Sequence, residues 1–353
     1  MSPTDIVRAI RVRTQKQLIP DVPKRWLPQF TFGLQAYGLK AFQSATGNAR
    51  MVVANTNTAA RKSERLLANT ELANLFGDVF DTLKLVKPSS YVNVDHSDMN
   101  RLTALVGAVQ TGKGRALPCL VATTYSDRLP GEGSLKSTPR TNNLRRARTE
   151  VRKAQSFTGH YIDALQDFHD RLGFWPRLVF DRGFGNESLV THLQAEGAVF
   201  YIRLKAGRFV EFDGQRTEIK QLRENDTVVK LFGLRLRVVR SSKSHRAKEP
   251  WYILTNDFSS TRNKIVKIYY HRFEIEETFR DIKHIWELKR TRLNRPNSLK
   301  VILWFVSIGI ALLYLATKGD KQRPTNPKKQ TSWLRQAYEL LQQATSLLLW
   351  GGV

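Results

Sequence analysis

Past Ser90 the hydrophobic period of this chain changes, and that change limits the fold more than any other feature. Tyr91-Val-Asn-Val-Asp95 alternates apolar and polar residues, the pattern of a half-buried strand, and ends on an acid. Residues 102–109 and 115–125 read as two more strands joined by the turn Gly112-Lys113-Gly114. Three consecutive antiparallel strands are expected. A polar loop over 126–143 and a long helix over 143–171 follow. Pro176-Arg-Leu-Val-Phe-Asp181 is an apolar strand, again closed by an acid, and residues 186–196 and 199–203 read as a short helix and a strand. Hairpin strands followed by strand–helix–strand alternation imply an α/β fold, a mixed sheet flanked by helices.

The flanks differ in texture. Residues 1–88 read as a helical N-terminal module, with Thr4 capping a helix over 5–17 and Thr70 capping one over 70–83. Residues 205–257 hold short strand-like runs (208–212, 227–231, 234–239 and 251–255) separated by turn residues, a β-rich insertion. A helix is expected from about 259 to 290. The apolar run Val301–Ala316 falls short of the 18–20 residues a membrane crossing needs, so a buried core helix is expected. A polar linker over 318–330 leads to an amphipathic helix over 333–350, suited to docking on the core or on a second copy. The expected segments are 1–88, 89–204, 205–257, 258–318 and 319–353.

Charge narrows the partner. Lys and Arg number 57 against 31 Asp and Glu, a formal net charge of +26 spread along the chain. A polyanion is the expected partner, nucleic acid first and an anionic membrane surface second. No basic amphipathic anchor helix is evident, which disfavours the membrane. Cys119 is the only cysteine, which excludes a disulfide within the chain and a Cys-rich zinc site, and suits a reducing, cytoplasmic compartment. The seven His lack zinc-site spacing, and no Gly-rich loop precedes Lys-Ser/Thr, so ATP-driven chemistry is disfavoured.

The stretch Tyr269 to Lys283 has no Gly or Pro and reads as helix. At about 100° per residue, Tyr269, Arg272, Glu276 and Lys283 share an arc of roughly 60°. One carboxylate therefore sits in a stripe of cations and a phenol; the alternative is a solvated face of i,i+4 pairs. Asp95 and Asp181, both at strand ends, are its candidate partners, with Asp98 close behind Asp95. Three carboxylates brought together need cations, and hard oxygen donors call for Mg²⁺ or Mn²⁺. Two such ions stabilise the attacking and leaving oxygens of an in-line phosphoryl displacement.

The order Asp95, then Asp181 in Asp-Arg-Gly-Phe, then Tyr-x₂-Arg-x₃-Glu-x₆-Lys resembles the DDE transposases of bacterial insertion sequences. It is similar to the cut-and-paste branch that carries a β-domain inserted in a ribonuclease-H-like core. The resemblance spans about residues 90–318. It implies a DNA transposase that cleaves transposon ends and transfers the 3′-OH into target DNA, acting as a homodimer on DNA near the nucleoid. It assigns Asp95, Asp181 and Glu276 to two Mg²⁺ or Mn²⁺ ions, and Tyr269, Arg272, Lys283 and Arg203 to DNA phosphates. Trp251 would stack on a flipped base, or else be an inward strand residue of the insertion. The rival readings are a nuclease of the same core without strand transfer and an inactive DNA-binding protein.

Overall fold

A computed structural model describes residues 2–39, 44–99, 101–126, 157–241, 249–288, 293–318 and 333–348. The loop expected over 126–143, most of the linker over 318–330 and the first half of the helix expected over 143–171 lie outside these.

Three strands open the sheet in chain order: β1 (Tyr91–Met99), β2 (Leu102–Val109) and β3 (Leu117–Tyr125), paired antiparallel. The described part of the next helix is α6 (Phe157–Leu172), counting five helices before the sheet. β4 (Arg177–Phe180), α7 (Glu187–Ala195) and β5 (Phe200–Leu204) follow. β4 lies parallel to β1 and β5 parallel to β4, giving the order β3-β2-β1-β4-β5. This mixed sheet with flanking helices fits the ribonuclease-H-like α/β class.

The inserted strands do not make a sheet of their own. β6 (Phe209–Phe212), β7 (Gln215–Glu218), β8 (Asp226–Leu231), β9 (Leu234–Arg240) and β10 (Tyr252–Thr255) extend the core sheet, because β10 pairs antiparallel with β5. The result is a ten-stranded sheet ending β5-β10-β9-β8-β6-β7. β7 was not expected from its sequence: Gln215-Arg-Thr-Glu218 has no apolar alternation and is held by pairing with β6.

The first five helices are α1 (Pro3–Arg13), α2 (Leu27–Gly33), α3 (Ala45–Arg50), α4 (Thr56–Ala68) and α5 (Thr70–Asp81). Their caps correct the expectation: Ser2 caps α1, forming a reciprocal box with Asp5, and Asn69 caps α5. In each case the cap is the last extended residue before the helix, one or two positions earlier than the Thr.

The long helix α10 (Pro296–Thr317) joins the helical layer to the sheet; its residues 301–313 are buried throughout. By length and composition it could cross a membrane, but 83% of its most apolar window is buried within the protein, as expected of a core helix. It packs on β3, α4, α5 and α1. It crosses residues 34–38 closely enough that a Cβ on Gly309 would lie 2.0 Å from the Gly38 carbonyl oxygen. Phe305 fills the same crossing, its ring centroid 4.4 Å from that of Phe76 of α5 in a tilted contact. The final helix α11 (Trp333–Leu348) packs on α1 and α10, and its Tyr338 meets Trp286 at 5.0 Å.

Candidate active site

The helix expected across Tyr269–Lys283 is broken. α8 (Arg262–Tyr270) ends at His271, and α9 (Phe273–His284) begins after Arg272. Partners far away in sequence make the break. Gln110 Nε2 donates to the Ile268 carbonyl (3.0 Å) and Asn93 Nδ2 donates to the His271 carbonyl (3.0 Å), so sheet side chains take up carbonyls at the end of α8. On the far side of the break, the buried Glu274 carboxylate accepts from the backbone of Thr111 (2.8 Å) and Gly114 (3.3 Å) and contacts His271 Nδ1 (3.1 Å). The β2–β3 turn thereby fixes the start of α9. Arg115, from the same turn, donates to Asp281 (2.6 Å) further along it. Asn93, Gln110 and Glu274 carry no motif. Only Asn93 leaves a trace in the sequence, since it lies two residues before Asp95 on the same strand face.

β1 does not end at Asp95; it continues to Met99. What ends there is its parallel pairing. The last pair with β4 is Val94 with Phe180, and the last β4–β5 pair is Phe180 with Ile202. The next residues, Asp95, Asp181 and Arg203, therefore form one row across three strands, all on the face that carries α8 and α9. Asp98 stands an odd number of residues from Asp95, so it faces the other way, where it accepts from the Thr103 hydroxyl (2.6 Å).

Arg272 connects the row to the helix. Its guanidinium donates to Asp95 (3.4 Å) and, one helical turn on, to Glu276. The Arg272 side chain is 3% exposed, Asp95 16% and Glu276 45%, so the cation lies beneath the acids and Glu276 faces outward. The Tyr269 hydroxyl donates to Asp181 (3.4 Å). Burial pushes the Asp95 carboxyl above its ordinary range, and Asp181 pushes in the same direction, while Arg272 and the His96 backbone N–H oppose them. For Arg272, burial works against the charge, but Tyr269, Glu276, Asp181 and Asp95 together hold the guanidinium above its ordinary value. Burial likewise pushes the Tyr269 phenol up.

The structure brings six of the eight residues singled out from sequence into one neighbourhood: Asp95, Asp181, Glu276, Arg272, Tyr269 and Arg203. It corrects how two of them present themselves. Tyr269 and Arg272 are buried and turned to the carboxylates, where the stripe had suggested a surface facing phosphates. The break between α8 and α9 is the reason, since it turns Tyr269 into the sheet beside Tyr201, Val239 and Ile253. Trp251 lies just before β10 and is 9% exposed, its ring 5.4 Å from Tyr269 and 5.7 Å from Phe273. It is an inward residue at the edge of the site. Lys283 is half-buried on α9, almost two turns beyond Glu276. Sequence reading passed over Phe273, whose ring is 38% exposed and lies against Trp251 and the Arg272 guanidinium (5.0 Å).

Among the described residues, no three acid, His or Cys groups stand together closely enough to hold an ion. The donor chemistry of the row nonetheless fits a divalent cation. Asp95 and Asp181 are neighbouring hard-oxygen donors at the ends of the β1–β4 pairing.

Residues 151–313 match the family model described as Transposase DDE domain. The matched span carries Asp181, Arg203, Trp251, Tyr269, Arg272, Glu276 and Lys283; Asp95 precedes it. The match supports a DNA transposase function. No curated protein matches the chain. Among solved structures, the chain is similar to piggyBac transposase in a synaptic complex with hairpin DNA. The identity is 10% and the TM-score 0.42, over 99% of this chain and 80% of that one. That superposition is too loose to carry fold or chemistry across.

Proposed function

We propose that this chain is a metal-dependent DNA transposase of the bacterial insertion-sequence type. It cleaves the ends of its own element and joins the freed 3′-OH to target DNA, working as a homodimer on DNA in the cytoplasm. The observation that carries this reading is the row Asp95–Asp181 on neighbouring strands, tied through Arg272 to Glu276, within a chain that carries the transposase DDE match.

Asp95 and Asp181 would hold divalent metal, Mg²⁺ or Mn²⁺, with Glu276 as the third carboxylate, and two ions are the expected complement. When bound, such ions supply charge neutralisation at the attacking and leaving oxygens of an in-line displacement. The chain's own residues do the rest. Arg272 keeps Asp95 and Glu276 together without leaving either carboxylate unpaired. Tyr269 orients Asp181 through its hydroxyl. Arg203, beside Asp181 in the row, supplies a cation to a phosphate lying over the acids, and Lys283 supplies another along α9. Phe273, with Trp251 packed behind it, offers a ring face to a base leaving the stack.

The test is Mg²⁺-dependent cleavage of a duplex carrying the DNA that flanks this gene, followed by strand transfer from a pre-cut end bearing a 3′-OH. Joined product supports the transposase. Cleavage without joining supports a nuclease on the same core. Binding with neither supports a DNA-binding protein alone.

A further inference from the structure

The face that carries the acids does not stop where α8 ends. Ile265, Ile268 and Tyr269 of α8 cover the sheet at Tyr201, Ile253 and Val239. Register carries the same face outward across β9, β8, β6 and β7. Arg235 pairs with Lys230, Lys230 with Glu211, and Glu211 with Arg216, so all four share it. This outer part is open to solvent: Phe209 is 42% exposed, Val228 42% and Phe258 46%. Each exposed ring carries a guanidinium, Arg216 lying 4.4 Å from the Phe209 centroid and Arg235 4.9 Å from that of Phe258. The acids there are partnered, Glu211 with Lys230 at 3.5 Å and Glu218 with Lys220. Arg237 is also on this face but is committed to Asp226 and to the carbonyls of Asp257 and Ser260.

We infer that this outer face of the inserted strands, formed by Phe209, Arg216, Lys230, Arg235 and Phe258, is a second DNA-binding surface. It would grip the phosphate backbone of the same duplex that is cut at the acids. The inference rests on the transposase reading. Three observations favour DNA as the occupant. The exposed cations Arg216 and Arg235 lie over rings and so are pre-ordered. The face is continuous with the acid row. The chain as a whole is strongly cationic. Distance sets where on the duplex this contact falls. From Asp181 on β4 to Lys230 on β8 is four strand spacings across and four residues along, roughly 23 Å at about 4.8 Å per strand and 3.3 Å per residue. That span is about seven base pairs at 3.4 Å each.

The experiment compares the full-length wild type with the triple variant R216S/K230S/R235S on a 40-base-pair duplex of the DNA flanking this gene. Hydroxyl-radical footprinting, binding at several salt concentrations, cleavage and sedimentation would be read together, with thermal melting to check folding. The expected result is an unchanged melting temperature and loss of protection centred six to eight base pairs from the cut. The slope of log K against log salt should fall by two to three, since each phosphate contact contributes about 0.9. An unchanged slope and footprint in a variant that still cuts would overturn the inference and leave the transposase reading standing. A wild type that neither cuts nor protects the duplex would overturn both. A loss of self-association with an unchanged footprint would overturn the inference and assign the face to a second copy of the chain.

Discussion

Arg272 and Glu276 stand one helical turn apart at the head of α9, and the guanidinium that donates to Glu276 also reaches Asp95 on the sheet. A single buried cation thus bridges two acids from opposite layers. Removing one partner of a buried ion pair costs about 3–5 kcal/mol, because the other charge is left unpaired. Arg272→Ala is therefore expected to lower the melting temperature sharply and abolish cleavage. Arg272→Lys should recover stability only partly, since an ammonium cannot span two carboxylates as a planar fork does. If the acids hold metal, Mg²⁺ should raise the melting temperature of Arg272→Ala more than that of wild type. Calorimetry with and without Mg²⁺ checks this.

Asp95→Asn, Asp181→Asn and Glu276→Gln are each expected to reduce Mg²⁺-dependent cleavage by at least about 10²-fold, on the scale of removing a transition-state charge stabiliser, while DNA affinity is retained. Asp98→Asn should leave cleavage intact, because Asp98 faces away from the row and is occupied by Thr103. Equal loss in Asp98→Asn would show that the wrong acid has been assigned. Gel-shift and cleavage assays on the same preparations separate the two outcomes.

Trp251 is packed between Tyr269 and Phe273 and is nearly fully buried. Trp251→Ala should behave first as a cavity mutation, costing about 3–5 kcal/mol. Phe273→Ala, at an exposed ring, should cost far less stability and instead lower cleavage. Urea denaturation alongside cleavage rates would reveal the split, and the reverse ranking would place the stacking surface on Trp251.

Away from the acids, Asp81 at the end of α5 lies 3.3 Å from Arg171 Nε, yet burial pushes its carboxyl up to about 7. Neither Asp81 oxygen has a hydrogen-bond partner among the described residues. The sign follows from proton uptake. With a pKa raised on folding, the native state binds a proton that the unfolded state has already released. The stabilisation is full below about 4 and is lost as pH rises through about 7. Stability should fall across that window with a slope approaching ~1 kcal/mol per pH unit, and Asp81→Asn should flatten it. Chemical denaturation at about pH 4.5, 6 and 7.5, spanning the window, provides the comparison.

Much of this protein was determined by local pattern alone. Alternation placed β1, β2 and β3 with their turn, the apolar runs placed β4, β5 and α10, and Asp181, Arg272 and Glu276 stood out by spacing. Such features are encoded by near neighbours, because strand and helix periods repeat within a few residues. The tertiary structure decided the rest. It broke the Tyr269–Lys283 helix, because Asn93 and Gln110, 178 and 158 residues away from the carbonyls they bind, capture the end of α8. It set Asp95 beside Asp181 where β4 stops pairing and turned Asp98 to the opposite strand face, against Thr103. It turned Tyr269 and Arg272 inward, from an expected phosphate-facing stripe to a buried link between acids. Contacts of that range leave no period in the sequence; they exist only once the sheet has set its register and the helices have packed against it.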